Sequence, residues 1–249
     1  MIKISLITVV YNNKRHIADA IISATSQIDV NLEYIVVDGA STDGTIEIIK
    51  QYQDKIDVFQ SSRDGGIYEA LNAGLSLATG DFVGYLHSDD ILASTESIKR
   101  LFQNSPEDAD AVYGDLDFVD RDNINKTVRK WRSCNFMPRL LKWGWMPPHP
   151  TLYVRRELMN EIGGFDPRYR ICADYDFIIK LFSRPGIKTH YTPEVIVKMR
   201  TGGASNNSVS NVLRKFRENQ LILKNNGFHG RRVAAMKILS KIPQFFQFG

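Results

Sequence analysis

Short apolar runs alternate with amphipathic stretches through the first hundred residues. KISLITVVY reads as a buried strand, and HIADAIISATSQ repeats its apolar positions at helical spacing. The alternation continues with EYIVVD, TIEIIKQY, KIDVFQ, IYEALNAGLSLA and DFVGYL, and Asp43 stands where it would cap the second helix. Strand and helix in strict succession predict an α/β fold with a mainly parallel central sheet, right-handed crossovers and flanking helices. Ligands of such sheets bind outside the carboxyl ends of the strands. Those ends fall at residues 8–12, 38–43, 63–66 and 87–90, and each is polar and carries Asp, Asn or Arg.

Beyond Ser105 the rhythm changes. ADAVYGDLDFVD and KTVRKWRS alternate like two antiparallel strands around a polar turn at 122–125. WGWMPPHPTLYV reads as a Pro-rich aromatic loop entering a strand, ADYDFIIKLF as a helix, and IKTHYTPEVIVKMR as a late strand. With no internal repeat and no low-complexity linker, residues 1–215 form one expected domain. Its halves are 1–104 and 105–215, and 216–249 form a helical tail.

Composition narrows the setting. The 249 residues suffice for a full core, and 43% hydrophobic with 24% charged residues is ordinary for a soluble protein. Two cysteines, Cys134 and Cys172, are too few for a disulfide framework and predict a reducing compartment. The N-terminus has no leader-peptide pattern, and no apolar run reaches the roughly 20 residues of a membrane span, so the expected location is cytoplasmic. The net charge of +4 is uneven: from Val212 onward eight Lys and Arg face one acid, Glu218, a net +7 that leaves about −3 for the rest. This distribution argues against nucleic acid as a partner of the main fold. In the tail, Ala235, Ile238, Leu239, Ile242, Phe245 and Phe246 make an apolar stripe beside Lys237 and Lys241, ending near Pro243. Such a segment fits peripheral attachment to an anionic membrane face; packing within a homo-oligomer is the alternative.

Two short stretches carry the chemistry. YLHSDDILA ends a strand with adjacent carboxylates, Asp89 and Asp90, whose mutual repulsion calls for a cation. The plainer alternative is that Ser88 and Asp89 cap a helix over 93–103. In ADYDF, Asp174 and Asp176 lie about 200° apart around a helix, so only one can face a given site.

Taken in order, TVVYNN, VVDGASTDGT, RDGGIYEALNAGLSLATGDFVGYLHSDD and PHPTLYVRRELMNEIGGFDPRYRICADYDF resemble a family 2 glycosyltransferase of the GT-A fold, over residues 3 to about 205. The chain departs from that pattern at His87, where Asn is common, at Ser62 and Arg63, where Glu-Pro is common, and at Ala173, where Glu is common.

The resemblance implies an inverting transfer of a sugar from a nucleoside diphosphate sugar, a UDP-sugar first, to a hydroxyl of a glycan or lipid-linked saccharide. It makes Asp90 the ligand of Mn2+ or Mg2+ and sends Asp89 to the ribose; a hard divalent cation offsets diphosphate charge through oxygen ligands. It assigns Asp38 to the nucleoside, with Thr8, Val10 and Tyr11 lining the base. Arg63 and Asp64 stand where the base or phosphates would lie, Arg63 being equally explicable as a solvated loop residue. Asp174 is the implied general base, needed because a sugar hydroxyl is a poor nucleophile until deprotonated. His149 falls near the donor phosphates, as a metal or phosphate contact or a packed loop residue. Trp143 and Trp145 are candidates for an acceptor lid or for core anchors.

Two rival readings remain. A sugar-nucleotide pyrophosphorylase would want a Gly-rich basic loop after the first strand, where TVVYNNK has no glycine. A non-catalytic sugar-nucleotide-binding protein at a membrane would not need both Asp90 and Asp174.

Overall fold

The computed structural model describes residues 2–202 and 209–228. In chain order the elements are β1 (Lys3–Val10), α1 (Ile17–Thr25), β2 (Asn31–Asp38), α2 (Thr45–Lys50), β3 (Val58–Ser61), α3 (Ile67–Leu77), β4 (Phe82–Tyr85) and β5 (Ile91–Leu92). They continue with α4 (Ser97–Phe102), β6 (Ala111–Val119), β7 (Thr127–Trp131), β8 (Tyr153–Arg155), α5 (Arg156–Ile162), α6 (Ala173–Phe182), β9 (Thr189–Arg200) and α7 (Val209–Asn225). The expected tail residues 235–246 lie outside the described residues. The boundary expected at 215 falls inside α7.

The strands form one sheet in the order β3-β2-β1-β4-β8-β6-β9-β5, with β7 paired to β6. The first four are parallel, and β1 and β2 are almost wholly buried, which is why they read as unbroken apolar runs. Register aligns their ends: Val10 lies beside Asp38, and Asp38 beside Ser61, so one rim is level.

β8 is antiparallel to both neighbours, with Val154 facing Val83 of β4 and Ala111 of β6. Gly84 allows this insertion, because a Cβ there would overlap the Tyr153 ring. Two cores sandwich the sheet. One packs α3, α5, α6 and the end of α7 through residues such as Leu71, Met159, Phe177 and Leu223; the other packs α1 and α4 through Ile17, Ile21, Ile98 and Leu101.

Two expectations change. The segment after the Asp pair is β5, two residues antiparallel to β9, and the helix begins only at Ser97, so Ser88 and Asp89 do not cap a helix over 93–103. Asp43 bonds the start of α2 as expected, its Oδ1 accepting from the Thr45 amide at 3.0 Å.

Candidate active site

At the rim of β1–β3 the backbone is strained. Asn12 and Ala40 hold positive φ, 48° and 62°, in the left-handed region that costs a non-glycine residue about 1–2 kcal/mol. Side chains lock the two loops together: the Asn12 amide donates to Ser41 Oγ at 2.8 Å, and Asn12 Oδ1 accepts from the Thr42 amide at 2.8 Å.

Beneath them Asp38 is fully buried. Its Oδ2 accepts from the Ser41 amide at 3.0 Å and from Ser61 Oγ at 2.7 Å, while Oδ1 has no partner among the described residues. Gly39 follows, and a Cβ there would stand 2.8 Å from Asp64 Oδ2 and 3.3 Å from the Tyr11 ring. The missing side chain lets Tyr11, 66% exposed, and Asp64 close in on the strand end at Gly39, next to the buried Asp38. Arg63 is exposed on the next loop. Thr8 and Val10 are elsewhere: Thr8 is buried with Oγ1 accepting from the Tyr34 hydroxyl at 3.0 Å, and Val10 packs in the core beside Ile17. Strand alternation turns both side chains inward, so of that trio only Tyr11 reaches the rim.

At the end of β4 the two adjacent carboxylates separate. Asp90 is 0% exposed, with Oδ1 accepting from the Arg200 amide at 3.1 Å and Oδ2 unpartnered among the described residues. Burial, reinforced by the Asp89 charge, pushes its pKa well above the carboxylate range, against the pull of Arg200. Asp89 is partly exposed, and its charge opposes the burial that lowers the pKa values of His87 and His16. Arg200, 5% exposed, ties the corner down by donating to the Asp89 carbonyl at 2.7 Å, the Arg121 carbonyl at 3.2 Å and Asp19 Oδ2 at 2.6 Å. Asp90, expected as the metal-facing carboxylate, is thus the more enclosed of the pair, and Asp89 the more exposed.

The second half meets this corner through β8. His149 stands just ahead of β8 and His87 just after β4; because these strands run antiparallel, the two rings face each other with Nε2 atoms 3.2 Å apart. His149 Nδ1 lies 3.5 Å from Asp174 Oδ2, in the first turn of α6. Burial lowers the His149 pKa to about 4, with His87 and Lys215 adding to the effect and Asp174 opposing it, so the ring is neutral near pH 7. The Tyr68 hydroxyl donates to the Ile171 carbonyl at 2.7 Å and stands 3.2 Å from Asp174 Oδ1.

The turn before Asp174 is clamped from α7. The Glu218 carboxylate accepts from the amides of Arg170, Ile171 and Cys172, each at 3.0 Å. Asp176 faces the other way and is 2% exposed, with Oδ2 2.6 Å from Lys180 Nζ and Oδ1 accepting from Asn226. The two tryptophans also part: Trp143 is 56% exposed, whereas Trp145 packs edge-on against Tyr113 and Phe182 as a core anchor.

The sequence marks His87 only as a departure from the family pattern and does not single out Tyr68, Arg200 or the structural use of Glu218. Glu218 alone left a trace, as the single acid in a basic run.

Among the described residues no three His, Cys, Asp or Glu side chains form a metal cage by themselves. The partly exposed Asp89, whose charge acts on His87, could serve a cation that takes most of its ligands from phosphate oxygens and water, the usual way Mg2+ and related ions bind.

Residues 5–175 match the family described as Glycosyl transferase family 2. A "PGL/p-HBAD biosynthesis glycosyltransferase" of Mycobacterium bovis is 32% identical over 184 residues, 72% of this chain and 69% of that protein. An uncharacterized glycosyltransferase of Nostoc is 33% identical over 221 residues, 82% of this chain and 66% of that protein. Among solved structures, S. aureus TarS superposes with a TM-score of 0.65 at 18% identity, over 99% of this chain and 44% of that one. The Pyrobaculum calidifontis mannosyltransferase PcManGT, solved with GDP-Man and Mn2+, gives 0.65 at 17% identity, over 95% and 68%. Fold and sequence agree: this chain is a glycosyltransferase of the GT-A fold and belongs to glycosyl transferase family 2.

Proposed function

We propose that the protein transfers a sugar from a nucleoside diphosphate sugar, a UDP-sugar first, to a hydroxyl of a glycan or lipid-linked saccharide, with inversion at the anomeric carbon. The observation that carries this reading is the line Asp174, His149, His87, which joins a carboxylate on the acceptor side to the donor rim across the β4–β8 junction. Asp174 takes the proton of the acceptor hydroxyl, that oxygen bonds to the anomeric carbon, and the bond to the donor phosphate breaks with its electron pair leaving on the diphosphate. Asp38 Oδ1, Tyr11 and Asp64 receive the nucleoside, with Arg63 above them and Trp143 beside the acceptor.

Mn2+ or Mg2+, held by Asp89 and His149 with diphosphate oxygens, would offset the charge of the leaving group. Asp90 takes a supporting role beneath Asp89. Solved neighbours bound to UDP-GlcNAc, or to GDP-Man and Mn2+, support a nucleotide-sugar donor and a divalent ion.

The basic tail meets an anionic membrane face, with homo-oligomer packing as the competing use. Exposed Val212, Leu213 and Phe216 next to Arg214 and Arg217 on α7 support an interfacial role, and no helix among the described residues is long and apolar enough to cross a membrane. Donor binding belongs to residues 1–104 and acceptor binding to 105–215.

The test is a melting panel of UDP-, GDP- and TDP-sugars with and without Mn2+. A true donor at a hundred times its Kd adds about 2.7 kcal/mol of stability. No stabilisation by any nucleotide sugar, with or without metal, would sink the proposal.

A further inference from the structure

The match to family 2 ends at residue 175, yet the turn that presents Asp174 is completed by a side chain well beyond it, on α7. Glu218 Oε1 accepts from the Arg170 amide, and Oε2 from the amides of Ile171 and Cys172, each at 3.0 Å. Successive amides aimed at one anion form the kind of concavity that in many proteins holds a phosphate. In this chain the anion is built in.

The other side of the turn is held from α3, where the Tyr68 hydroxyl donates to the Ile171 carbonyl at 2.7 Å. Both peptide planes at Ile171 are thereby fixed, and the next residue, Cys172, is the N-cap from which α6 starts. Asp174 lies in the first turn of that helix, so the direction of its carboxylate follows the orientation of residues 170–172. A general base must stand within hydrogen-bond reach of the proton it removes, and a displacement of about 1 Å can lower a rate by about 10²-fold. Other contacts attach α7 without touching these amides: Asn225 Nδ2 donates to the Tyr169 hydroxyl at 3.1 Å, and Ile222 and Leu223 are buried in the core.

We infer that Glu218 is a positioning residue for the sugar transfer: through the turn at 170–172 it sets the Asp174 carboxylate against the acceptor hydroxyl, so the catalytic unit extends into α7. The inference rests on the reading of Asp174 as the base.

The experiment follows release of nucleoside diphosphate by the full chain from the UDP-, GDP- and TDP-sugars of the melting panel, with water standing for the acceptor hydroxyl. Glu218→Gln loses the charge and offers one acceptor oxygen in place of two. Its kcat should fall by about 10²-fold, while KM for the sugar nucleotide and Kd for the nucleoside diphosphate change by less than about twofold. In an Asp174→Asn background the same substitution should lower the residual rate by less than about twofold, because no base remains to be placed. Asn225→Ala, which loosens α7 away from the amides, should keep kcat. An unchanged kcat in Glu218→Gln, an equal fall in both backgrounds, or the same fall in Asn225→Ala overturns the inference. Glu218→Asp keeps the charge one methylene short and decides the matter if Glu218→Gln does not fold: it should bind nucleotide as wild type does and turn over more slowly, and full turnover overturns the inference. An Asp174→Asn variant of normal rate also overturns it and leaves the transfer reading standing. No release by wild type from any of these sugars counts against both.

Discussion

The backbone amide of Arg200 donates to Asp90 Oδ1 at 3.1 Å, while its guanidinium donates to the carbonyl of Asp89 at 2.7 Å. One residue of the last strand thereby buries the second carboxylate and steadies the first at the rim. Asp89→Asn should abolish the gain in melting temperature that Mn2+ adds to nucleotide binding. Asp90→Asn should keep that gain and leave stability unchanged or higher, since a neutral amide avoids the cost of holding a carboxyl group where burial disfavours its ionisation. A thermal shift series with and without Mn2+ separates the two; loss of the metal effect in Asp90→Asn alone would return the ligand role to Asp90.

Asp174 and Asp176 differ by two positions on α6 and should differ in what they control. Asp174→Asn is expected to lower turnover by roughly 10² to 10⁴ with nucleotide binding near wild type. Asp176→Asn should instead weaken the fold, because it breaks a buried contact with Lys180. Single-turnover kinetics and denaturant titration read these outcomes, and NMR of the product should show the anomeric configuration inverted.

The tryptophans offer a similar contrast. Trp145→Ala removes a ring packed against Tyr113, Phe136 and Phe182 and should cost about 3 kcal/mol. Trp143→Ala should leave the melting temperature unchanged and raise the KM for acceptor. An unaltered KM would detach Trp143 from the acceptor site.

Acid stability should depend on Glu33. Burial alone would raise its pKa, but hydrogen bonds from Lys3, Ser5 and Thr79 outweigh that and hold it down to about 2. The folded value lies below the ordinary 4.5, so the stabilisation is complete above pH 4.5 and is lost as pH falls toward 2. Glu33→Gln should flatten that part of the stability curve, removing roughly 3 kcal/mol at neutral pH. Urea midpoints measured between pH 2 and 7 give the comparison.

Truncation after Asn226 should preserve nucleotide binding yet reduce co-sedimentation with anionic vesicles, and wild-type binding should weaken as salt rises. Equal sedimentation of both forms would favour packing between subunits.

The sequence by itself determined the parallel half of the sheet. KISLITVV, NLEYIVVD and FVGY are buried on both faces, and only helices between them supply the required cover, so the order of strand and helix was written in the pattern. It also determined which loops meet at the rim, and it marked Asp38, Tyr11, Asp64 and the carboxylate pair as residues of that edge. Side-chain direction was less legible: Thr8 and Val10 sit at the right height on β1, but the pleat turns them inward. Which of Asp89 and Asp90 faces outward was decided by Arg200, more than a hundred residues away.

Only the tertiary structure decided the meeting of the two halves. The strand entered by the Pro-rich loop is legible in the sequence, but a three-residue strand does not name its partners, and the insertion of β8 between β4 and β6 is what brings His149 to His87. A strand pairing of that kind is set by the packing of Tyr153 over Gly84 and by hydrogen bonds to both neighbours, terms that exist only once the sheet has formed. The same holds for Glu218, whose three amide bonds before Asp174 join segments 46 or more residues apart.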